Sequence, residues 1–343
     1  MKSARHFLPS LFLAAMLFSA STSHPAFAES PAPAPDGAKS RLEYLVVDVS
    51  AGPDARSYPV TMLEKAPAEG WTDEYKTKKI VLRLVKPGSY EKNYAYFNSG
   101  LHRVTLSRPF YLGVFEVTQR QWELVSGARP FAFTNAACAA TRPADTIGYA
   151  DIRGRALGLA WPYSRIVDSD SFVGRLRSRT GMAGFDIPTD AQWEYACRAG
   201  ETGACPNVAA MARIRPPDQK LSTQFSKSRP SAAGPEEGTA PVGSYPPNAW
   251  GFHDMLGNVA EWVRDHYNRL AVIPDGELAD PVGPVCQPSD NRCLFRGGDY
   301  RSRPIECGYD TISARGIGSE QGFRLCLEFP PDTFSIAPQS NEP

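Results

Sequence analysis

The sequence has few of the features that binding to a membrane or to nucleic acid requires. Its 37 Lys and Arg residues balance 37 Asp and Glu residues, so the formal net charge is zero. Phosphate backbones and anionic lipid surfaces bind clustered Lys and Arg, and the chain has no such run. The apolar run at residues 7–18 is shorter than the roughly 20 residues that span a bilayer. We therefore expect no nucleic-acid partner and no membrane span.

Several catalytic signatures are also missing. The sequence has no Cys-x-x-Cys or His-Glu-x-x-His spacing, which would indicate zinc. It has no glycine-rich phosphate loop between a strand and a helix, and no Gly-x-Ser-x-Gly nucleophile motif. Of the five histidines, His253 and His266 each stand next to an aspartate. Such pairs are typical of ordinary hydrogen-bonding groups, so we do not expect them to be catalytic.

The N-terminus is typical of a secretory signal. Lys2 and Arg5 precede the apolar run, and Ala-Phe-Ala at residues 26–28 forms a small-residue cleavage site. We predict a signal peptide over residues 1–28 and an exported protein, periplasmic or extracellular.

Two further segments lie outside the expected domain. Residues 29–40 are rich in Pro and Ala and predict an extended linker. Residues 330–343 predict a flexible tail of similar composition. The domain between them is expected to cover residues 41–329.

Short apolar runs and frequent Gly and Pro predict a loop-rich α+β fold rather than a bundle or a parallel sheet. The β-branched segments 41–50 and 79–85 predict strands, and residues 103–114 are expected to continue the same sheet. Cap residues predict three helices. They are residues 119–126 after Thr118, residues 171–178 ending near Gly181, and residues 190–198 between Thr189 and Gly200.

Five motifs occur in an order that resembles a known family. They are Phe-Tyr-Leu-Gly-Val-Phe-Glu-Val-Thr-Gln at 110–119, Trp-Glu-Tyr at 193–195, Gly-Asn-Val-Ala-Glu-Trp at 257–262, Arg-Gly-Gly at 296–298 and Gly-Phe-Arg at 322–324. Over about residues 42–328 the chain resembles the formylglycine-generating enzymes, or sulfatase-modifying factors. The resemblance implies an elaborated C-type-lectin-like domain. It also implies a pocket between the 257–262 turn and the segment 296–307.

The resemblance implies a copper site that this sequence lacks in part. Members of the family that use oxygen hold copper between two cysteines, five residues apart, just after Gly-Gly. Here the second position is Cys307 but the first is Ser302, and copper(I) prefers thiolate ligands. Asp299 stands where the family usually has Ser, and Ala260 where Trp is common. We therefore do not expect a copper cofactor or copper-dependent formylglycine formation.

Cys307 itself allows two interpretations. It is either a buried thiol of ordinary reactivity, or a reactive thiol or metal ligand completed by Asp299, His253 or His266. If the family's activity remains, Cys307, Ser302 and Asp299 are the expected catalytic residues.

The resemblance also implies a structural calcium ion. Asp254, Gly257, Val259 and Glu261 match the family's ligand positions. Two carboxylates and two backbone carbonyls are the hard oxygen donors that Ca²⁺ prefers. The alternative is a plain Gly-Asn turn in which Glu261 pairs with an arginine.

The seven cysteines of a chain that we expect to be exported favour disulfides, and the odd number leaves one over. Three pairs are candidates: Cys286 with Cys293, Cys197 with Cys326, and Cys138 with Cys205. In the family, the partner of Cys197 would directly follow Gly-Phe-Arg, where this chain has Leu325. Because alternate residues of a strand face opposite ways, we expect the pair with Cys326 only if the strand has a bulge.

Three functions are compatible with the sequence. The first is binding of a peptide or other ligand in the family's pocket, with Asp299, Arg301, Arg303 and Glu306 as polar contacts. The second is an active oxidase that converts the cysteine of a Cys-x-Pro-x-Arg peptide to formylglycine, with Cys307 as the key thiol. The third is a structural or accessory role in an extracytoplasmic assembly. The oligomeric state is left open.

Overall fold

The computed structural model describes residues 42–94, 99–155, 161–202, 212–214, 238–267, 272–283, 292–302, 310–312 and 320–329. The predicted signal peptide, linker and tail lie outside these residues. The strands are β1 (Tyr44–Asp48), β2 (Val60–Leu63), β3 (Lys79–Val85), β4 (Gly88–Asn93), β5 (Leu101–Leu106), β6 (Phe110–Gly113), β7 (Phe185–Asp186), β8 (Ala260–His266), β9 (Leu278–Ala279), β10 (Cys293–Arg296), β11 (Asp310–Ile312), β12 (Gln321–Gly322) and β13 (Cys326–Glu328). The helices are α1 (Glu74–Thr77), α2 (Gln119–Ser126), α3 (Tyr149–Arg153), α4 (Phe172–Thr180) and α5 (Asp190–Arg198), with a 3-10 turn at Ala139–Thr141.

The largest sheet has six strands in the order β2-β1-β3-β6-β13-β7, all antiparallel. The two predicted strands β1 and β3 are neighbours in it, with Tyr44 opposite Arg83. Strand β1 is covered on both faces: Leu45 and Val47 pack into one apolar cluster, and the alternate residue Val46 packs into another. This alternation follows from the two-residue repeat of a strand.

Residues 103–114 do not continue one sheet, contrary to the prediction. Strand β5 pairs with β4 and β9 in a separate three-stranded sheet, whereas β6 lies between β3 and β13. The break falls at Ser107–Pro109, where the proline has no N–H to donate and restricts the residue before it. The backbone N–H of Ser107 donates to Asp280 Oδ1 at 2.8 Å instead of extending a strand pair.

The three predicted helices are confirmed as α2, α4 and α5. Thr118, Ser171 and Thr189 are their N-caps, each accepting a backbone N–H with its side-chain oxygen. Helix α4 ends at Gly181 in the left-handed conformation, as predicted. Helix α5 ends at Arg198, as predicted, but the residue that caps it in the left-handed conformation is Ala199, with a φ of 48°, and not Gly200.

A four-stranded sheet in the order β11-β10-β8-β12 carries most of the family motifs. Every residue of β8 is buried, and β8 pairs antiparallel with β10 and parallel with β12. Helix α5 packs against β8 and β10. This sheet therefore fixes both the turn that precedes β8 and the glycines that follow β10.

The loop-rich α+β architecture expected from the sequence is confirmed. Within the described ranges, no helix is both long enough and apolar enough to cross a membrane.

Candidate functional site

The 257–262 turn and the segment after β10, between which the resemblance implied a pocket, are hydrogen-bonded to each other. The N–H of Gly257 donates to the carbonyl of Gly297 at 2.8 Å, and the N–H of Tyr300 donates to the carbonyl of Asn258 at 3.0 Å. Gly297 has a φ of +86°, and a Cβ at this position would lie 2.8 Å from the carbonyl oxygen of Met255. The close contact of the two segments therefore requires glycine at position 297.

Ser302 closes a turn with Asp299. The N–H of Asp299 donates to Ser302 Oγ at 3.0 Å, and the N–H of Ser302 donates to the Asp299 carbonyl at 2.9 Å. The Ser302 hydroxyl in turn donates to Asp299 Oδ1 at 3.4 Å, and the N–H of Arg301 donates to the same oxygen at 2.7 Å. The two residues that depart from the family's pattern thus contact each other. At the position of the missing cysteine, the hydroxyl is engaged within its own turn.

Arg301 carries a positive charge at the edge of this turn. Its guanidinium forms an ion pair with Glu320 and lies 3.9 Å from Asp299 Oδ2. Burial raises the pKa of Asp299, while Arg301 opposes that shift. The Arg301 side chain is 27% exposed and lies over the ring of Tyr300, whose centroid is 5.7 Å away. Asp299 and Arg301 are therefore placed together, whereas Arg303, Glu306 and Cys307 lie outside the described residues.

The acidic residues of the calcium prediction lie in what we call the carboxylate cluster: Glu116, Asp254 and Glu261 with Arg324. Arg324 binds both oxygens of Glu261, with Nε–Oε2 at 2.6 Å and Nη2–Oε1 at 2.5 Å. Trp193 Nε1 donates to Oε2 of the same carboxylate at 2.7 Å. Glu261 is thus paired with an arginine, as the alternative to calcium binding proposed.

Asp254 is less fully bound than Glu261. Its Oδ2 accepts the N–H of Gly243 at 2.6 Å, but its buried Oδ1 has no hydrogen-bond partner among the described residues. Burial raises the pKa of Asp254 to about 6. An ionised carboxylate at this position is therefore costly unless a proton or a cation compensates it.

Glu116 is a site residue that the sequence reasoning missed. It is 1% exposed and accepts Asn258 Nδ2 at 2.7 Å and the N–H of Val259 at 3.2 Å. Burial, and then the charges of Asp254 and Glu261, raise its pKa well above the ordinary value. The available signal was an acidic residue inside an apolar run, Gly-Val-Phe-Glu-Val, at residues 113–117.

The fit to calcium is incomplete in this arrangement. In the described ranges, no three His, Cys, Asp or Glu side chains stand as a group that could hold a metal ion. Asp254 Oδ1 is available, but Arg324 and Trp193 occupy both oxygens of Glu261. A calcium ion bound by Glu261 would have to share this carboxylate with the positive charge of Arg324. The calcium site at Asp254, Gly257, Val259 and Glu261 stays a prediction.

The comparisons with known proteins decide the family. The model of the sulfatase-modifying factor enzyme 1-like domain matches residues 72–329. The chain belongs to this family. Its five motifs and its loop-rich α+β fold were therefore identified correctly from the sequence.

Individual relatives are distant. The chain is 27% identical over 267 residues to the "Chaperone protein LppX" of Paenibacillus barcinonensis, covering 71% of this chain and 88% of that protein. It is 29% identical over 160 residues to the formylglycine-generating enzyme of Bos taurus, covering 44% of this chain and 41% of the enzyme. The enzyme of Streptomyces coelicolor is 32% identical over 136 residues, covering 39% and 41%. The chain thus spans about two fifths of these enzymes' length.

The fold is shared with a solved structure, Treponema denticola variable protein 1. The TM-score is 0.53 at 18% sequence identity, and the match covers 73% of this chain and 95% of that one. At this identity the likeness concerns the fold alone.

One further departure from the family's pattern lies in the core. Ala260 is 1% exposed and packs into the main apolar cluster, with its N–H donating to the Glu320 carbonyl at 2.7 Å. It pairs with Gln321 of β12. Ala260 therefore acts as a packing residue between two strands.

The described cysteines are buried, and no sulfur–sulfur bond joins them to one another. Cys197 and Cys326 nevertheless belong to the same apolar cluster, whereas Leu325 packs into a different one. Cys326 therefore faces the side of Cys197 without the bulge that we expected to be necessary. Its thiol donates to Gln192 Oε1 at 3.7 Å, and burial raises its pKa well above the ordinary value.

The other two disulfide candidates involve cysteines outside the described residues, Cys205 and Cys286. Their described partners are Cys138, which is buried, and Cys293, whose sulfur is 3.4 Å from His266 Nδ1. All three pairings stay predictions.

Proposed function

We propose that this protein is an exported member of the family that binds a peptide or another extended ligand and does not form formylglycine with copper. The binding surface would be formed by the 257–262 turn and the 296–302 segment where they lie against each other. Asp299 and Arg301 would be its described polar contacts. Export rests on the signal-like composition of residues 1–28.

One observation carries the proposal: the hydroxyl of Ser302 bonds to Asp299. Copper(I) favours soft sulfur ligands, and a hydroxyl is a hard and weakly acidic donor. Ser302 Oγ also accepts the Asp299 N–H at 3.0 Å. A metal at this position would therefore have to bind a poorly matched donor and compete with the bonds that close the turn.

The relatives support binding over oxidation. The relative that is covered over 88% of its length carries the name chaperone, and we take this name as support for ligand binding. The formylglycine-generating enzymes match over about two fifths of their length. The longer match thus favours a binding function.

The exposed side chains of the proposed surface suit an extended polar ligand. The side chains of Arg301 and Glu320 are 27% and 22% exposed and form an ion pair with each other. A ligand carboxylate or backbone carbonyl can accept from Arg301 without burying an unpaired charge, because Glu320 stays beside it.

The reaction is tested by mass spectrometry of a Cys-x-Pro-x-Arg peptide incubated with the protein, copper(I), calcium and oxygen. We expect no mass change with the natural protein. A second incubation with Ser302→Cys is the matched control, since it restores the missing ligand. Conversion by the natural protein would overturn the proposal and support an oxidase that depends on Cys307. Conversion by Ser302→Cys but not by the natural protein would show that the serine at position 302 is the reason for the missing activity.

Binding is tested with the same peptide carrying a fluorescent label, by anisotropy. We expect Arg301→Ala to weaken binding about ten-fold, because a hydrogen bond from a charged donor contributes roughly 1.5–3 kcal/mol. Arg103→Ala is the control, since this arginine is 60% exposed and lies on β5 in the three-stranded sheet. Equal affinities of both variants and the natural protein would contradict the proposed surface. A lack of any binding would favour a structural or accessory role.

A further inference from the structure

A second concave region lies at the other end of β8, away from the surface described above. It is a cavity of about 440 Å³, within the 300–1,000 Å³ range typical of small-molecule sites. Its walls include Ile273, Leu278 and Leu294. Asp265, which lines it, is four residues beyond Glu261 on β8, or about 13 Å along a strand. The cavity is therefore separate from the site proposed above.

The charged groups of this cavity have one sign. Asp190, Asp265 and Glu277 line it, and its described lining contains no Lys, Arg or His. Glu277 is largely exposed, with 56% of its side chain accessible, so water screens its charge. Asp190 is compensated from the protein side by Lys92 at 3.0 Å and Arg296 at 3.3 Å. Asp190 Oδ1 accepts no hydrogen bond from the described residues, but Asp190 already has two cations beside it, whereas Asp265 has no such ion pair among the described residues.

Asp265 is buried and has no ion-pair partner among the described residues. It is 1% exposed, and its two oxygens accept the N–H groups of Asp190, at 2.5 Å, and Gly283. Each carboxylate oxygen has two lone pairs, so each oxygen can accept one more donor. Burial, and then the charge of Asp190, raise the pKa of Asp265 to about 6. The backbone bonds therefore hold this carboxyl in place without neutralising it.

We propose that this cavity binds a small organic cation, with an ammonium group at Asp265 and an apolar body against Ile273, Leu278 and Leu294. The ammonium supplies hydrogen-bond donors and also the compensating positive charge, whereas a neutral ligand can supply only the donors. The apolar body gains from burial against the walls at about 25 cal/mol per Å². A carboxylate or phosphate ligand is excluded by the like charges of the lining.

The test is isothermal titration calorimetry of the full protein with benzylamine, which is protonated at pH 7.5, and with benzyl alcohol as its uncharged analogue. We expect benzylamine to bind at least ten-fold tighter than benzyl alcohol. Asp265→Asn should reduce the affinity for benzylamine about ten-fold and leave that for benzyl alcohol unchanged. Glu91→Gln is the matched control, because Glu91 is 47% exposed and is not among the described lining residues, and it should change either affinity less than two-fold.

A second variant keeps the proposal testable if Asp265→Asn fails to fold. Ala279 lies on β9 and lines the cavity, and the substitution Ala279→Phe leaves Asp265 intact. It should abolish binding of both probes by filling the space. Equal affinities for the two probes would overturn the proposal, as would benzylamine binding that neither variant weakens, or no benzylamine binding at all.

Discussion

Two buried charge clusters lie against β8, and they differ in how their charges balance. The α5 charge cluster consists of Lys92, Asp190, Glu194, Arg198 and Arg296. Lys92 Nζ lies 2.5 Å from Glu194, Arg296 Nη2 lies 2.7 Å from it, and Arg198 Nη2 lies 2.6 Å from its other oxygen. Each carboxylate of this cluster contacts at least two cations.

The carboxylate cluster has the opposite balance. Glu116, Asp254 and Glu261 lie near one another, and among the described residues the cation in ion-pair contact with this cluster is Arg324, which binds Glu261. The pKa values reflect this difference. Burial opposes ionisation of Glu194, but Lys92 and Arg296 outweigh it and lower its pKa to about 2. Burial raises the pKa of Asp254 to about 6.

This difference in charge balance distinguishes a cluster that stabilises the fold from a cluster that can bind a ligand. The charges of the α5 charge cluster are paired within the protein, although Asp190 Oδ1 accepts no hydrogen bond from the described residues, so its residues hold α5 against β4 and β10. The carboxylate cluster carries surplus negative charge, so it has to hold a proton or a cation to stay buried. Asp265 shows the same deficit beside the balanced cluster, which is why its cavity is a candidate for a cationic ligand.

The largest effect is expected from Arg324→Met, which removes the cation that contacts the carboxylate cluster. We expect the free energy of unfolding at pH 7 to fall by about 5 kcal/mol, because uncompensated buried charge costs this much. Urea unfolding followed by tryptophan fluorescence measures the change. Arg165→Met is the control: Arg165 also pairs with a glutamate, at 2.7 Å, but it is 61% exposed. A comparable loss in both variants would show that burial and imbalance are not the cause.

Glu194→Gln tests the balanced side of the comparison. It leaves the buried Lys92 and Arg296 and the partly exposed Arg198 with one carboxylate fewer, and we expect a loss of about 3 kcal/mol by the same measurement. Glu74→Gln is the matched control, since its side chain is 51% exposed and pairs with Lys79 at 3.0 Å. Its expected loss is about 0–1 kcal/mol. A stable Glu194→Gln variant would mean that the α5 charge cluster is not the scaffold.

Local signals made the helices predictable from the sequence. Thr118 and Thr189 each stand three residues before a glutamine, and both form the reciprocal capping box of this pattern. The partners are near in sequence, so no knowledge of the fold was necessary. The segments 257–262 and 296–298 were located in the same way, through a motif order shared with the family.

The electrostatics of the site could not be predicted in this way. Glu116 meets Asn258 across 142 residues, and Glu261 meets Arg324 across 63. Whether a carboxylate is compensated depends on which distant strands become neighbours, and no local pattern specifies that. The separation of β5 from β6 was missed for a related reason. A proline indicates a break, but it does not say which sheet each half joins.

A calcium titration tests whether a metal cation or a proton compensates the negative charge of the carboxylate cluster. If the predicted site binds calcium, the ion at 100 times its Kd should stabilise the protein by about 2.7 kcal/mol over a chelator. Thermal melts in calcium and in chelator measure this difference. Asp254→Ala should abolish the shift, whereas Asp145→Ala, at a buried carboxylate elsewhere, should retain it. An unshifted melt of the natural protein would contradict the calcium prediction and leave protons as the compensating charge.

The smallest expected effect concerns pH and Asp265. A carboxyl whose pKa is raised on folding destabilises the folded state when it ionises, so its cost is full above about pH 6 and disappears towards pH 4. Lowering the pH from 7 to 5 should therefore return about 1 kcal/mol of stability through this group. Burial lowers the pKa of His253, so this residue makes the folded state less stable as the pH falls. The pH dependence of the natural protein alone is therefore the sum of the Asp265 and His253 contributions. The difference between the natural protein and Asp265→Asn removes that common contribution. Urea unfolding measures the free energy of unfolding of both proteins at the two pH values. Relative to Asp265→Asn, the natural protein should be about 1 kcal/mol more stable at pH 5 than it is at pH 7. A constant difference would mean that Asp265 is already compensated, and the cavity beside it would then have no need of a cation.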